Sequence, residues 1–332
     1  MGEDQDKYPL LTRGWTFQEQ LMSPRVVHFT CEEIVWECNS GFDCECGRLD
    51  VGDLFINRTF NKYHHLGDWP SDNPHTLTLE AQWGLAVGIY TSRNLTYDKD
   101  IFPALQGLAK IFAAAKNSDY LAGLWKDTLV CDLLWRINKA PQRRPKWRAP
   151  TWSWAAVSSE VCLEVGHRSL KILANATASV EPVGIDPFGE LRSGRLIITG
   201  LAVKVRLSIL NKNSAYIERT PALPDWPEGP VPFLGAFCRA HDVPETLYSA
   251  DYDYSVRGPE FVPYGAKIEL VLVAQSSDAH FFALVLKCVD ENAQLFHRIA
   301  RLHFRYSSGP TKKCSEPLGP FKDAETKTFT VI

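Results

Sequence analysis

No stretch of these 332 residues approaches the ~18 consecutive apolar residues of a membrane-crossing helix, so no membrane partner is expected. Residues Met1 to Lys7 are acidic and polar, with no apolar run of leader length behind them, which argues against secretion. Asp6 stands where an N-terminal acylation signal needs Ser or Thr, and Phe329-Thr330-Val331-Ile332 holds no prenylation cysteine. A cytoplasmic location is the expectation. An excess of positive charge is also lacking: 36 Lys and Arg face 39 Asp and Glu, a net −3. A nucleic-acid binder usually shows a basic excess or stripe, so no nucleic-acid partner is expected. The one locally basic run, Gln142-Arg143-Arg144-Pro145-Lys146-Trp147-Arg148, reads as a solvated connection. The chain has no G-x-G-x-x-G, no G-x-x-x-x-G-K-[ST], no G-x-S-x-G and no H-E-x-x-H. No cofactor is expected.

What is present is an ordinary globular composition, 45% hydrophobic and 23% charged, with ten tryptophans. The length suggests about two domains. Nine cysteines is an odd number, and with no secretion signal a disulfide framework is not expected. Four of them cluster, at Cys31, Cys38, Cys44 and Cys46, but their spacings miss the paired C-x2–4-C knuckles of structural zinc sites. The simpler reading is a thiol-rich loop; the alternative is a metal-stabilised binding module. His28 and Cys31 are a thiol–imidazole pair without an orienting third group. His64, His65 and His75 lack a carboxylate or thiol at helical offset. Asp251-Tyr252-Asp253-Tyr254 contains a D-x-D, too few oxygens for a cation site alone, and reads as a strand edge or turn.

The opening run Arg13-Gly-Trp15-Thr16-Phe-Gln18-Glu19-Gln-Leu-Met-Ser23-Pro-Arg25 has its own local logic. Thr16 and Glu19 have capping-box spacing, ahead of a short helix through Phe17, Leu21 and Met22. Pro24 ends that helix. Val26 to Phe29 and Ile34 to Cys38 suit two strands, the second with Ile34, Trp36 and Cys38 on one face and Val35 and Glu37 on the other. Glu19 is read as a cap, with a catalytic acid as the alternative. Residues 39–75 read as an irregular connection, 77–90 as a helix, and 100–112 as a second helix with Pro103 in its first turn. Residues 119–137 read as a further amphipathic segment. Lys171–Val180, Arg195–Leu210, Ala266–Ala274, Phe281–Val289 and Leu295–Arg305 read as strands of a sandwich or barrel-like sheet, and 211–230 as a surface loop. Trp152-Ser153-Trp154 offers twin indoles, for stacking on a sugar or base or for anchoring a junction. The fold class expected is α+β.

The opening block resembles the last conserved block of the fungal heterokaryon-incompatibility (HET) domain, R-x-W-T-x-Q-E-x-x-L-S-x-R, matched at Arg13, Trp15, Thr16, Gln18, Glu19, Ser23 and Arg25. Trp36-Glu37-Cys38 followed by Cys44-Glu45-Cys46-Gly47 is similar to a further segment of that family. So are Tyr90 to Ala109, Tyr120 to Trp125, Leu133 to Arg136, and Arg148 to Ala155 with Trp152 and Trp154. The two earlier HET blocks are missing, and the chain looks like the back portion of such a protein. The resemblance implies a domain remnant over 1–48, a helical linker region over 49–160 and a β-rich domain over 161–332. It implies a role in non-self recognition and cell-death signalling, with a protein partner or self-association and no catalysis by this portion alone. An alternative is a share in a TIR-like NAD-cleaving enzyme completed by the absent half, with Glu19 its contributor.

Overall fold

The structure, a computed structural model, describes residues 9–30, 33–39, 41–47, 77–163, 170–211, 214–218, 231–234, 246–253, 260–263, 265–276, 280–305, 321 and 324–332. Helix α1 (Gly14–Met22) starts ahead of Thr16, and the expected capping box is not formed. The Thr16 hydroxyl donates to the carbonyls of Leu10 and Arg13, both at 2.7 Å, because the 3-10 turn Pro9–Thr12 leaves those acceptors within reach. The helix stops before Pro24, with the Ser23 amide and hydroxyl both closing on the Glu19 carbonyl. Strands β1 (Arg25–Phe29), β2 (Ile34–Cys38) and β3 (Gly41–Cys44) follow as an antiparallel sheet. Val35 and Glu37 are buried while Ile34 and Trp36 face out, as the alternation predicts. β3 lies within the stretch that the sequence marks as an irregular connection; residues 48–75 of it, with His64, His65 and His75, lie outside the described residues.

Helix α2 (Leu79–Thr91) is capped by the Thr78 hydroxyl, which accepts from the Ala81 amide. The single helix expected from Asp100 is instead two 3-10 turns, Asp98–Ile101 and Pro103–Leu105, leading into α3 (Gln106–Lys116). Pro103 has no N–H to donate into a continuous helical ladder. The predicted stripe of Ile101, Leu105, Leu108, Ala109 and Phe112 is nevertheless fully buried. Residues 119–137 are not one helix. They form a tight hairpin, β4 (Tyr120–Leu121) and β5 (Leu124–Trp125), then a single turn α4 (Leu129–Asp132), then β6 (Arg136–Ile137), which pairs with β7 (Val161–Cys162). Ala122 at φ 51° and Gly123 at φ 91° reverse the chain where helix would need to continue.

The remainder is strand: β8 (Leu170–Ile172), β9 (Asn175–Pro182), β10 (Leu191–Asn211), β11 (Ser214–Glu218), β12 (Val231–Leu234), β13 (Thr246–Ala250), β14 (Ala266–Ser276), β15 (His280–Asp290), β16 (Leu295–Arg305) and β17 (Glu325–Val331). Lys171–Val180 is thus two strands, and β11 occupies part of the expected 211–230 loop. The long β10 pairs with β17 through Leu196–Ala202 and with β14 through Ala202–Leu207. β14, β15, β16 and β17 are paired in series, so five strands close into a ring. Closure of this kind leaves those strands without a free edge. The fold is α+β, and among the described residues no helix is long and apolar enough to cross a membrane.

One sheet face is lined by Leu196, Ile198, Val271, Leu284, Phe296 and Phe329, and it shares a continuous core with α1, α2, α3 and the tryptophan-rich segment. The opposite face packs Val205, Leu270, Val285 and Leu302 into a second cluster.

Arg298 and Arg301 of β16 lie on the first face, both essentially inaccessible. Arg298 donates to Asp251 through Nε (2.9 Å) and Nη2 (3.2 Å), to the Leu133 carbonyl (2.6 Å) and to the Trp135 carbonyl (2.7 Å), and its guanidinium sits 3.6 Å from the Trp135 ring centre. Arg301 donates to the Leu134 carbonyl at 2.9 Å. Burial pushes the Asp251 carboxyl up and the Arg298 guanidinium down, and their mutual contact opposes both shifts. Removing one partner strands a buried charge. We therefore expect Asp251→Asn to cost about 3–5 kcal/mol in urea unfolding. Asp251→Asn combined with Arg298→Met should cost less than the sum of the two single changes.

Asp132 gives a pH signature. Burial, opposed by hydrogen bonds from the Trp125 amide and Thr128 hydroxyl, raises its carboxyl to about 7. In the unfolded chain an aspartate titrates near ~4, so between these values the folded state holds a proton that the unfolded state has lost. Its contribution therefore falls as pH climbs from ~4 to about 7. Asp132→Asn should flatten that part of the Tm–pH curve, as read by thermal unfolding.

Candidate functional site

The residues of the opening block dock α1 onto the segment around α3. Trp15 Nε1 donates to Asp100 Oδ2 at 3.0 Å. Gln18 Oε1 accepts from the Gly107 amide at 2.6 Å, satisfying a donor that the start of α3 leaves open. A Cβ on Gly107 would sit 2.6 Å from Met22 Sδ and 3.0 Å from Gln18 Oε1, so α1 packs closely against the start of α3. Gly14 N donates to Asn94 O at 2.7 Å, and Arg13 forms a bridge with Asn94 through backbone while its side chain is exposed. Arg25 is exposed on β1, opposite Cys38. Glu19 is exposed, and only its carbonyl has a part in the helix end.

The polar centre of this region is a residue that sequence reasoning placed on a strand face and gave no role. Glu37 is fully buried, and its Oε2 accepts from Gln20 Nε2 (3.0 Å) and meets His28 Nε2 (2.9 Å). Gln20 Oε1 in turn accepts from Arg93 Nη2 at 3.0 Å, and Arg93 Nη1 reaches the Thr16 hydroxyl at 3.3 Å. The guanidinium lies 4.8 Å from the Phe17 ring centre. Burial lowers the Arg93 pKa to about 10, with Glu37 opposing the shift, so Arg93 stays charged at neutral pH. The arrangement is a buried acid and a half-buried base bridged by an amide. His28 joins this network, and Cys31 lies outside the described residues.

A second constellation joins the tryptophan-rich block to the β4–β5 hairpin. Trp152 and Trp154 are wholly buried, so the sugar- or base-stacking reading is excluded and the anchor reading stands. The Gly123 carbonyl accepts from both Trp154 Nε1 (2.9 Å) and Trp83 Nε1 (3.1 Å), and the Ser153 hydroxyl donates to Ala122 O at 2.6 Å. A Cβ on Gly123 would fall 2.4 Å from Trp154 Nε1. Trp135 Nε1 donates to the Trp152 carbonyl at 2.9 Å. Arg148 fastens the block with bonds to Ala155 O, Val157 O and Asp98.

The basic run is also not simply solvated. The Arg144 and Arg148 side chains are each only 8% exposed, and Arg144 lies 4.0 Å from the Tyr252 ring centre while pairing with Glu260. With Lys146, Arg192 and Arg195 they line a cavity of about 380 Å³. His297 on its wall is lowered to about 4, first by burial and then by Arg144, and is neutral at pH 7. Asp251 is committed to Arg298, and the Asp253 amide donates to Gln142 O.

Of the four clustered cysteines Cys31 lies outside the described residues, and Cys38, Cys44 and Cys46 do not all share one face. Cys44 faces Val35 across the β2–β3 ladder, whereas Cys38 lies on the other face of β2 with Ile34 and Trp36. Residues directly opposite share a face and successive residues alternate, so Cys38 cannot join Cys44 around one ion. Cys44 and Cys46 do meet, with Sγ atoms 3.3 Å apart, and Glu33 stands beside them.

No protein-family model, curated protein or solved structure matches this chain.

The Glu37–Gln20–Arg93 relay can be tested by a double-mutant cycle. Glu37→Gln and Arg93→Met should each lower stability by about 1–3 kcal/mol, because each leaves a buried group short of its partner. The double variant should lose less than their sum, as read by denaturant unfolding.

Proposed function

We propose that the chain is part of a fungal heterokaryon-incompatibility protein that acts in non-self recognition through packing and protein contact. The observation that carries this reading is that the resembling blocks bond to one another. Trp15 meets Asp100, Gln18 meets Gly107, Gln20 meets Arg93, and Trp154 meets Gly123. Residue types in a family pattern that hold each other in place are accounted for by architecture, with no reaction required of them. Support for a protein partner comes from the outer face of the β1–β2–β3 sheet. Val27, Phe29, Ile34 and Trp36 lie together there by register, 48%, 81%, 41% and 40% exposed. A contiguous apolar patch on a small sheet is the usual mark of an interaction surface.

Two readouts test this. Expressed in a filamentous fungus, the chain should arrest growth, and Phe29→Ser with Trp36→Ser should abolish the arrest while the circular dichroism spectrum is retained. Purified chain incubated with NAD should release no nicotinamide. Growth unaffected by the unaltered chain, or steady nicotinamide release that Glu19→Gln removes, would overturn the proposal.

A further inference from the structure

The open end of the three-stranded sheet brings three metal-ligating side chains, one carboxylate and two thiols, to one point. Glu33 leads into β2, Cys44 closes β3, and Cys46 sits in the turn that follows, where Gly47 N bonds back to Cys44 O at 3.0 Å. The Cys46 amide donates to Glu33 Oε2 at 2.9 Å, and Glu45 N donates to Ile34 O at 3.0 Å, so the turn is pinned to the start of β2 by backbone. The two sulfurs are 3.3 Å apart, and both sulfurs and a Glu33 carboxylate oxygen lie within 4.8 Å of one another.

We propose that Glu33, Cys44 and Cys46 form a binding site for a thiophilic divalent cation of the zinc type. The geometry fits the ion. Zn–S bonds of ~2.3 Å at tetrahedral angles separate two sulfurs by about 3.8 Å, about half an ångström more than they stand now. Two thiolates and one carboxylate select zinc-like ions over magnesium or calcium, which take oxygen ligands only. These three ligands fill three of the four positions of a tetrahedral ion. Binding releases the two thiol protons to solvent as the sulfurs become thiolates. Cys46 is exposed, so the ion has an entry path. The ion would clamp β2 to β3 at the end of a sheet whose strands span only four or five residues. Short sheets of that kind gain most from a staple. The site stands whether or not the outer face of the sheet meets a partner.

The test uses the full chain, reduced and stripped of metal by chelator, titrated with cobalt(II) and then with zinc(II). A thiolate-to-cobalt charge-transfer band with intense tetrahedral d–d absorption is expected, saturating at a single ion per chain and displaced by zinc. Cys44→Ser and Cys46→Ser should each abolish the band, and Glu33→Gln should weaken zinc binding at least ~10-fold. Cys38→Ser should leave the titration unchanged. Absence of a charge-transfer band would overturn the proposal. So would a band that survives in the Cys44→Ser/Cys46→Ser double variant with its secondary structure intact by circular dichroism.

Discussion

A guanidinium with no access to water is the constraint on which the rest of this structure depends. Arg298 is on a sheet strand, Asp251 follows a neighbouring strand, and the carbonyls of Leu133 and Trp135 belong to the segment that leads from the helical part towards the tryptophan-rich block. Taking such a charge out of water costs several kcal/mol unless every donor finds a partner in good geometry. Only the docked arrangement of helical part and sheet supplies the carboxylate, both carbonyls and the Trp135 face together. The helical part therefore meets the sheet at a defined place, and Arg301 on the Leu134 carbonyl fixes the same seam at a second point.

The other junctions follow the same scheme. Open peptide carbonyls or amides at a turn, a helix start and the last residue are taken up by groups distant in sequence. The Gly123 carbonyl receives two indoles, the Gly107 amide receives Gln18, and the Ile332 carbonyl receives both the amide and the hydroxyl of Thr151. Polar bonds set the positions while the shared apolar core around Trp83, Phe112, Trp125 and Leu134 supplies the driving force. This division leaves the three-stranded opening sheet as an outlier. One of its faces covers Glu37, and its other face shows Phe29 and Trp36 to solvent.

Much of the strand framework was legible because its signals are local. β10, β14, β15 and β16 are long apolar or alternating runs bounded by turn residues, and they were placed within a few residues of where they lie. β13 and β17 escaped notice because Thr246–Ala250 is short and Glu325–Val331 alternates with mostly polar partners. The 119–137 segment misled for a different reason. Leu121, Leu124, Leu129, Leu133 and Leu134 are all buried, so no face is spared and helical and extended readings fit equally well. Thr16 misled because a hydroxyl at capping spacing found nearer carbonyls in the preceding turn. The sites were less legible still. Nothing local ties Glu37 to Arg93 or Asp251 to Arg298, since those bonds exist only after the elements pack. Glu33 carried a faint signal, a carboxylate one strand ahead of a C-x-C, but only the β2–β3 register brings it there.

The central claim is that the helical part and the closed sheet open as one cooperative unit because the Arg298 seam joins them. Native-state hydrogen exchange on the amides of α2, of Leu133 to Trp135 and of β16 tests this most directly. The account predicts that the slowest amides in all three exchange with a common opening free energy, equal to that of global unfolding. Slow exchange in β16 alongside low-energy opening of α2 and Leu133 to Trp135 would contradict it.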